Sequence, residues 1–139
     1  MRKIITTVLT VATLALPIAN ATAATKAAKK KIVVTRRFAG SVASVDRWGE
    51  LQVTIVVRKT TTTLNGKKRV TRKITGVSVP IYPNHTDRSV YINTNALPLL
   101  KSEVLQRQSA NINLVSGATD SSYAFAQSLQ AAILKAKRA

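Results

Sequence analysis

Leu114-Val115-Ser116-Gly117-Ala118-Thr119 is the stretch of this chain best equipped for chemistry. Ser116 and Thr119 carry hydroxyls that donate and accept hydrogen bonds. Gly117 and Ala118 leave the backbone between them open to close approach. Before them, Ile112 to Val115 is a short apolar run that reads as a strand. After them comes a helical pattern from about Ser121 to Lys137. In it Phe125, Leu129, Ile133 and Ala136 recur at spacings of four, four and three, one face of an amphipathic helix. Ser121 or Ser122 suits the N-cap, and Asp120 places negative charge near the helix start. The first N–H groups of a helix have no partners inside it, and its dipole favours an anion there. The chemistry on offer is therefore the cradling of a phosphate. An ordinary loop closed by a helix cap uses the same residue types, so the local pattern leaves both readings open.

The stretch Ser116-Gly117-Ala118-Thr119-Asp120-Ser121-Ser122 resembles the S-G-A-T-x-[TS]-S signature of the FMN-binding domain family. That family includes flavin-carrying subunits of the sodium-translocating NADH:quinone oxidoreductase and small secreted actinobacterial proteins. The resemblance spans roughly Phe38 to Lys137. It takes in Tyr82-Pro83-Asn84, Arg88-Ser89, Ile92-Asn93, Ala96-Leu97-Pro98, Gln108-Ser109-Ala110 and Ser128-Leu129-Gln130. It implies an FMN site made of Ser116, Gly117, Ala118, Thr119 and Ser122. FMN would be joined through its phosphate to Thr119 by a flavin transferase, or bound there without a covalent link. A membrane-bound reductase would be the electron donor. The transferase pattern usually has an aspartate six residues before the threonine; here that position is Asn113.

The elements that would position such a site read as α+β. At 139 residues the chain has room for one core. Phe38 to Asp46 reads as a strand, followed by a turn at Arg47-Trp48-Gly49. Leu51, Val53, Ile55 and Val57 alternate with polar residues, as in a half-buried strand. Asn65-Gly66 marks a hairpin. The return strand runs from about Lys67 to Val79, with a change of parity near Gly76 that suggests a bulge. Thr60 to Thr63 suits exposed strand. Further on, Asp87 suits the cap of a helix ending near Asn95, and Pro98 suits the first turn of another. The expected fold is a small antiparallel sheet with helices packed on one face.

The chain opens like an export signal. Arg2 and Lys3 precede an apolar run from Ile4 to Leu16, which is shorter than the ~20 residues of a membrane span. Pro17 ends it, and Ala19-Asn20-Ala21 or Ala21-Thr22-Ala23 offers a cleavage site. The expected organisation is a signal peptide over 1–23, a basic disordered linker over 24–36 and the FMN-binding domain over 37–139. The protein would then lie outside the cytoplasm, in the cell envelope or at the outer face of the cytoplasmic membrane.

Twenty-two Lys and Arg face five Asp and Glu, a net charge of +17. Loss of Arg2 and Lys3 with the leader lowers it to +15. Such a field attracts polyanions. Export and an aromatic content of 4% argue against nucleic acid, which needs stacking surfaces when single-stranded. Acidic wall polymers or anionic lipid headgroups fit an exported protein better. There is no cysteine, which excludes disulfides and Cys-based metal sites. His85 stands alone, the acids are scattered, and neither a catalytic residue nor a metal site is legible. Trp48 suits core packing, or an aromatic contact near the flavin ring. Two function classes remain: an exported FMN-dependent electron carrier, and a basic envelope-binding module that has lost the flavin.

If the opening segment is an export signal, terminal sequencing of the mature protein begins at Thr22 or Ala24. An intact Met1 on cytoplasmic protein would contradict export.

Overall fold

The computed structural model describes residues 28–139; the expected signal peptide and residues 24–27 of the expected linker lie outside them. The described residues divide into two units, one of residues 32–61 and 70–139, the other of residues 28–31 and 62–69. No helix among the described residues is long and apolar enough to cross a membrane.

Four strands form an antiparallel sheet: β1 (Lys29–Ala39), β2 (Ala43–Ser44), β3 (Glu50–Leu64) and β4 (Lys67–Ile81). β3 is central and pairs with each of the other three. β2 meets the start of β3, Ala43 opposite Leu51 and Ser44 opposite Glu50. The period-two pattern of β3 decides its orientation: Leu51, Val53, Ile55 and Val57 are buried and the residues between them only half so. Two helices follow, α1 (Asp87–Arg107) and α2 (Thr119–Arg138). Leu97, Leu100 and Val104 of α1, with Phe125, Leu129 and Ala132 of α2, join the odd-numbered side chains of β3 in one core. The protein is thus α+β.

Several local features follow the expected chemistry. Asn65 and Gly66 both have positive φ, 53° and 79°, as a two-residue hairpin of primed type requires. Along β4 burial shifts from Ile74 to Val79, an even-to-odd change across Gly76. Thr60 to Thr63 lie in β3 as expected, but they are half-buried rather than exposed.

Other elements differ from expectation. Residues 29–36 are strand, not linker: Ile32, Val33, Val34 and Thr35 are β-branched, and the edge of β3 takes them up. The expected strand from Phe38 to Asp46 is broken at Gly40–Val42 and closes in a 3-10 turn, Asp46–Trp48. α1 is one helix, with Thr86 rather than Asp87 as its N-cap and Pro98 inside it. Thr86 Oγ1 accepts the Ser89 N–H at 3.0 Å, while Asp87 occupies the first turn, where its charge suits the dipole. An interior proline removes one helical hydrogen bond. The helix continues because Asn93, Ala96 and Leu97 before Pro98, and Leu100 and Val104 after it, are all buried.

Ile112 to Val115 is loop, not strand. Side chains take two of its donors: Asn113 N–H goes to Glu103 Oε2 at 3.3 Å, and Val115 N–H to Ser122 Oγ; just before it, Asn111 N–H goes to Ser109 Oγ. Ile112 and Val115 are apolar because they pack on the core from the loop.

The break at Gly40 is imposed by α2. A Cβ there would lie 1.9 Å from the Ser128 carbonyl oxygen. Gly40 N–H donates to Val53 O at 2.8 Å, and Gln52 Nε2 donates to Gly40 O at 2.9 Å. Gly40→Ala therefore forces the helix away from the sheet. Urea unfolding should show a loss of about 1–3 kcal/mol, the range for an overpacked interior. An unchanged midpoint would mean that α2 does not seat this closely.

Candidate functional site

The start of α2 opens on a cleft of about 150 Å³. Its walls come from three places: Gly117 to Ser121, Arg88, Ser89, Ile92 and Asn93 at the start of α1, and Val45, Trp48 and Pro83. The N-termini of both helices thus meet the 3-10 turn at one hollow.

Ala118 is the N-cap of α2, with no side-chain cap. Neither Ser121 nor Ser122 caps the helix, because the turn begins earlier than the serines suggest. Val115 O accepts the Ala118 N–H at 3.0 Å, and Ala118 O accepts the Ser122 N–H at 2.9 Å. The fully buried Ser122 Oγ donates to Ala118 O at 2.7 Å and accepts from Val115 N–H at 3.0 Å. Ser122 is thus committed to holding the turn and does not line the cleft. Ser116 is exposed and also outside its lining. Of the five residues expected at the cofactor, the structure brings Gly117, Ala118 and Thr119 to the cleft.

The Ala118 N–H is already bonded, so the donors of the cradle are those of Thr119, Asp120 and Ser121. They belong to the first helical turn and have no acceptor among the described residues. Gly117 has φ 82°, a conformation that disfavours other residues, and open space where a Cβ would stand. Thr119 is exposed, so its hydroxyl is accessible to a modifying enzyme.

Two residues at the cleft had no role assigned from sequence. Arg88 is the one cation of its lining and Asp120 the one acid. Asn93 is 2% exposed. Its Nδ2 donates to Pro83 O at 2.9 Å and to Ser89 O at 3.0 Å, and its Oδ1 has no partner. A buried acceptor without a donor costs free energy until one arrives. Trp48 is half-buried, packs on the core and also lines the cleft; the Arg47 guanidinium stands 5.1 Å from its ring centre. Of the two sequence readings of Trp48, core packing is the one seen. Tyr82 is exposed and outside the lining, and His85 is an exposed loop residue.

The arrangement can hold an anion on three backbone donors beside an arginine. It also offers a half-buried indole and an unsatisfied acceptor to the remainder of a ligand. No protein-family model matches the chain, and no curated protein matches it.

Ser122→Ala removes both side-chain bonds that brace the turn and leaves Val115 N–H without an acceptor. Stability should fall by about 1–3 kcal/mol in denaturant titration, the cost of such a group. Ser116→Ala should leave the midpoint within about 0.5 kcal/mol, as an exposed site does. Equal losses would show that Ser122 has no special part in the turn.

Proposed function

We propose that the chain is an exported FMN-binding protein that works as an electron carrier, with FMN held through its phosphate at Thr119. The observation that carries this reading is the cleft where the exposed Thr119 hydroxyl, three unpaired N–H groups and Arg88 stand together. The S-G-A-T resemblance selects FMN among phosphate-bearing ligands.

The residues fit the group. N–H donors of Thr119, Asp120 and Ser121 suit the phosphate oxygens, and the Arg88 guanidinium adds a charged donor. Asp120 opposes a second negative charge nearby. A phosphodiester to Thr119 carries one negative charge where a free phosphate carries closer to two, so esterification eases that repulsion. The unpartnered Oδ1 of Asn93 suits a hydroxyl or N–H of the ligand. Trp48 offers an aromatic face. When bound, FMN supplies the redox chemistry, while the protein binds and orients it.

A flavin transferase would install the group, a membrane-bound reductase would supply electrons, and export would place the protein at the outer face of the cytoplasmic membrane. The second reading, a basic envelope-binding module without flavin, is favoured by the net charge alone.

Expression with a flavin transferase in an exporting host tests this by intact mass. The wild-type chain should gain one FMN-sized increment, and Thr119→Ala should gain none because no hydroxyl remains to esterify. Thr119→Ser should retain part of it. Asn113→Asp should raise occupancy. An increment that persists in Thr119→Ala would place the attachment elsewhere. Absence of both covalent and bound flavin from the wild type would favour the envelope module.

A further inference from the structure

The larger unit carries a second recessed surface, formed by adjoining hollows of about 220 and 260 Å³. They share Val57, Arg72 and Ala136 and so adjoin as a divided trough beside the C-terminal part of α2. Its floor is apolar: Val34, Phe38, Ile55, Val57, Ile133 and Ala136. Its rim is cationic: Arg36, Lys59, Arg72, Lys73 and Lys137. No Asp or Glu lines either hollow. The ion pair among the described residues, Arg107 with Glu103 at 2.8 Å, involves none of these cations. Lys59 Nζ donates to Ala139 O at 2.9 Å, and no acidic side chain pairs with the other four.

The last turn of α2 holds Lys135, Lys137 and Arg138. A helix C-terminus carries roughly half a negative charge, so three cations exceed what the dipole neutralises. Of the three, Lys137 lines the trough, and no acidic side chain stands there beside it. An apolar floor under a cationic rim selects a ligand with both properties. A hydrophilic polyanion would satisfy the rim but leave Val34, Phe38 and Ile133 in contact with water. An apolar peptide would cover the floor but bury cations unpaired, which is costly. An anionic amphiphile answers both, its headgroup at the rim and the start of its acyl chain on the floor.

We propose that this trough binds an anionic phospholipid and docks the protein on an anionic membrane surface. The proposal stands independently of the flavin reading, since the trough shares no residue with the cleft at Thr119.

Vesicle co-sedimentation tests it with the full mature chain, comparing phosphatidylcholine vesicles with vesicles that also contain phosphatidylglycerol. Three variants are needed. Arg36→Glu with Arg72→Glu reverses two rim charges. Lys67→Glu with Lys68→Glu makes the same change of net charge in the Asn65-Gly66 hairpin, at residues that line neither hollow. Val34→Ser keeps every charge and makes the exposed edge of the floor polar. Binding should require phosphatidylglycerol. The rim variant should lose at least about tenfold in affinity, because cations near an anionic surface act strongly and locally, and the hairpin variant should lose much less. Val34→Ser should weaken vesicle binding while leaving retention on soluble polyphosphate unchanged. Equal losses in the rim and hairpin variants would overturn the proposal in favour of diffuse charge. Wild-type affinity in Val34→Ser, or polyphosphate binding as sensitive to the rim as vesicle binding, would make the trough a polyanion site instead.

Discussion

The contact between Gly40 and Ser128 sets the geometry on which the rest depends. Ser128 presents its carbonyl to a backbone with no Cβ, and its Oγ accepts the Val53 N–H at 2.8 Å. The helix thereby takes a ladder position on the central strand. Val53 O in turn accepts the Gly40 N–H. Lys135 adds a bond from Nζ to Ala39 O at 2.7 Å, about two turns further along. A helix seated at this depth has its start fixed as well. Thr119 lies nine residues before Ser128, about 14 Å along the axis at the usual rise. A shift of one residue in the seating would move the first turn out of the cleft.

The cleft is then a consequence of packing rather than a separate construction. The break at Gly40 lets the chain turn into β2 and the 3-10 turn, which delivers Trp48. α1 enters through Thr86 and brings Arg88, Ser89 and Asn93 to the same place. The other end of α1 is tied down by Gln108. Its amide accepts the Ile74 N–H at 2.6 Å and donates to Ile74 O at 2.9 Å, copying a strand partner on β4. With both helices held at both ends, their first turns form a stable wall. The polar groups left unsatisfied there are those a ligand can use, three N–H groups and Asn93 Oδ1.

Much of this was legible in the sequence, for reasons specific to each element. The alternation from Leu51 to Val57 and the Asn65-Gly66 turn are local signals with one physical solution each. The stripe of Phe125, Leu129 and Ala136 is equally plain, since a helix can bury only one face. Pro98 misleads because propensity describes an isolated helix, whereas burial on both sides of the proline holds α1 together. Ile112 to Val115 misleads because apolar residues in a loop can serve the core without pairing as a strand. Ser122 misleads in a subtler way: a serine near a helix start reads as a cap or a ligand group, and here it braces the turn from within. Arg88 and Asn93 carried no local signal for a site, because their role appears only when α1 is packed beside α2.

The central claim is that the start of α2 holds the phosphate of a flavin. Trp48 is the only tryptophan in the chain and lines the cleft, so its fluorescence reports occupancy directly. Titration of the unmodified mature protein with FMN and with riboflavin differs by one phosphate. Saturable quenching by FMN at an affinity at least about tenfold tighter than riboflavin, with the difference reduced in Arg88→Ala, is the predicted result. Equal affinities for the two, or no saturable quenching by either, would contradict it.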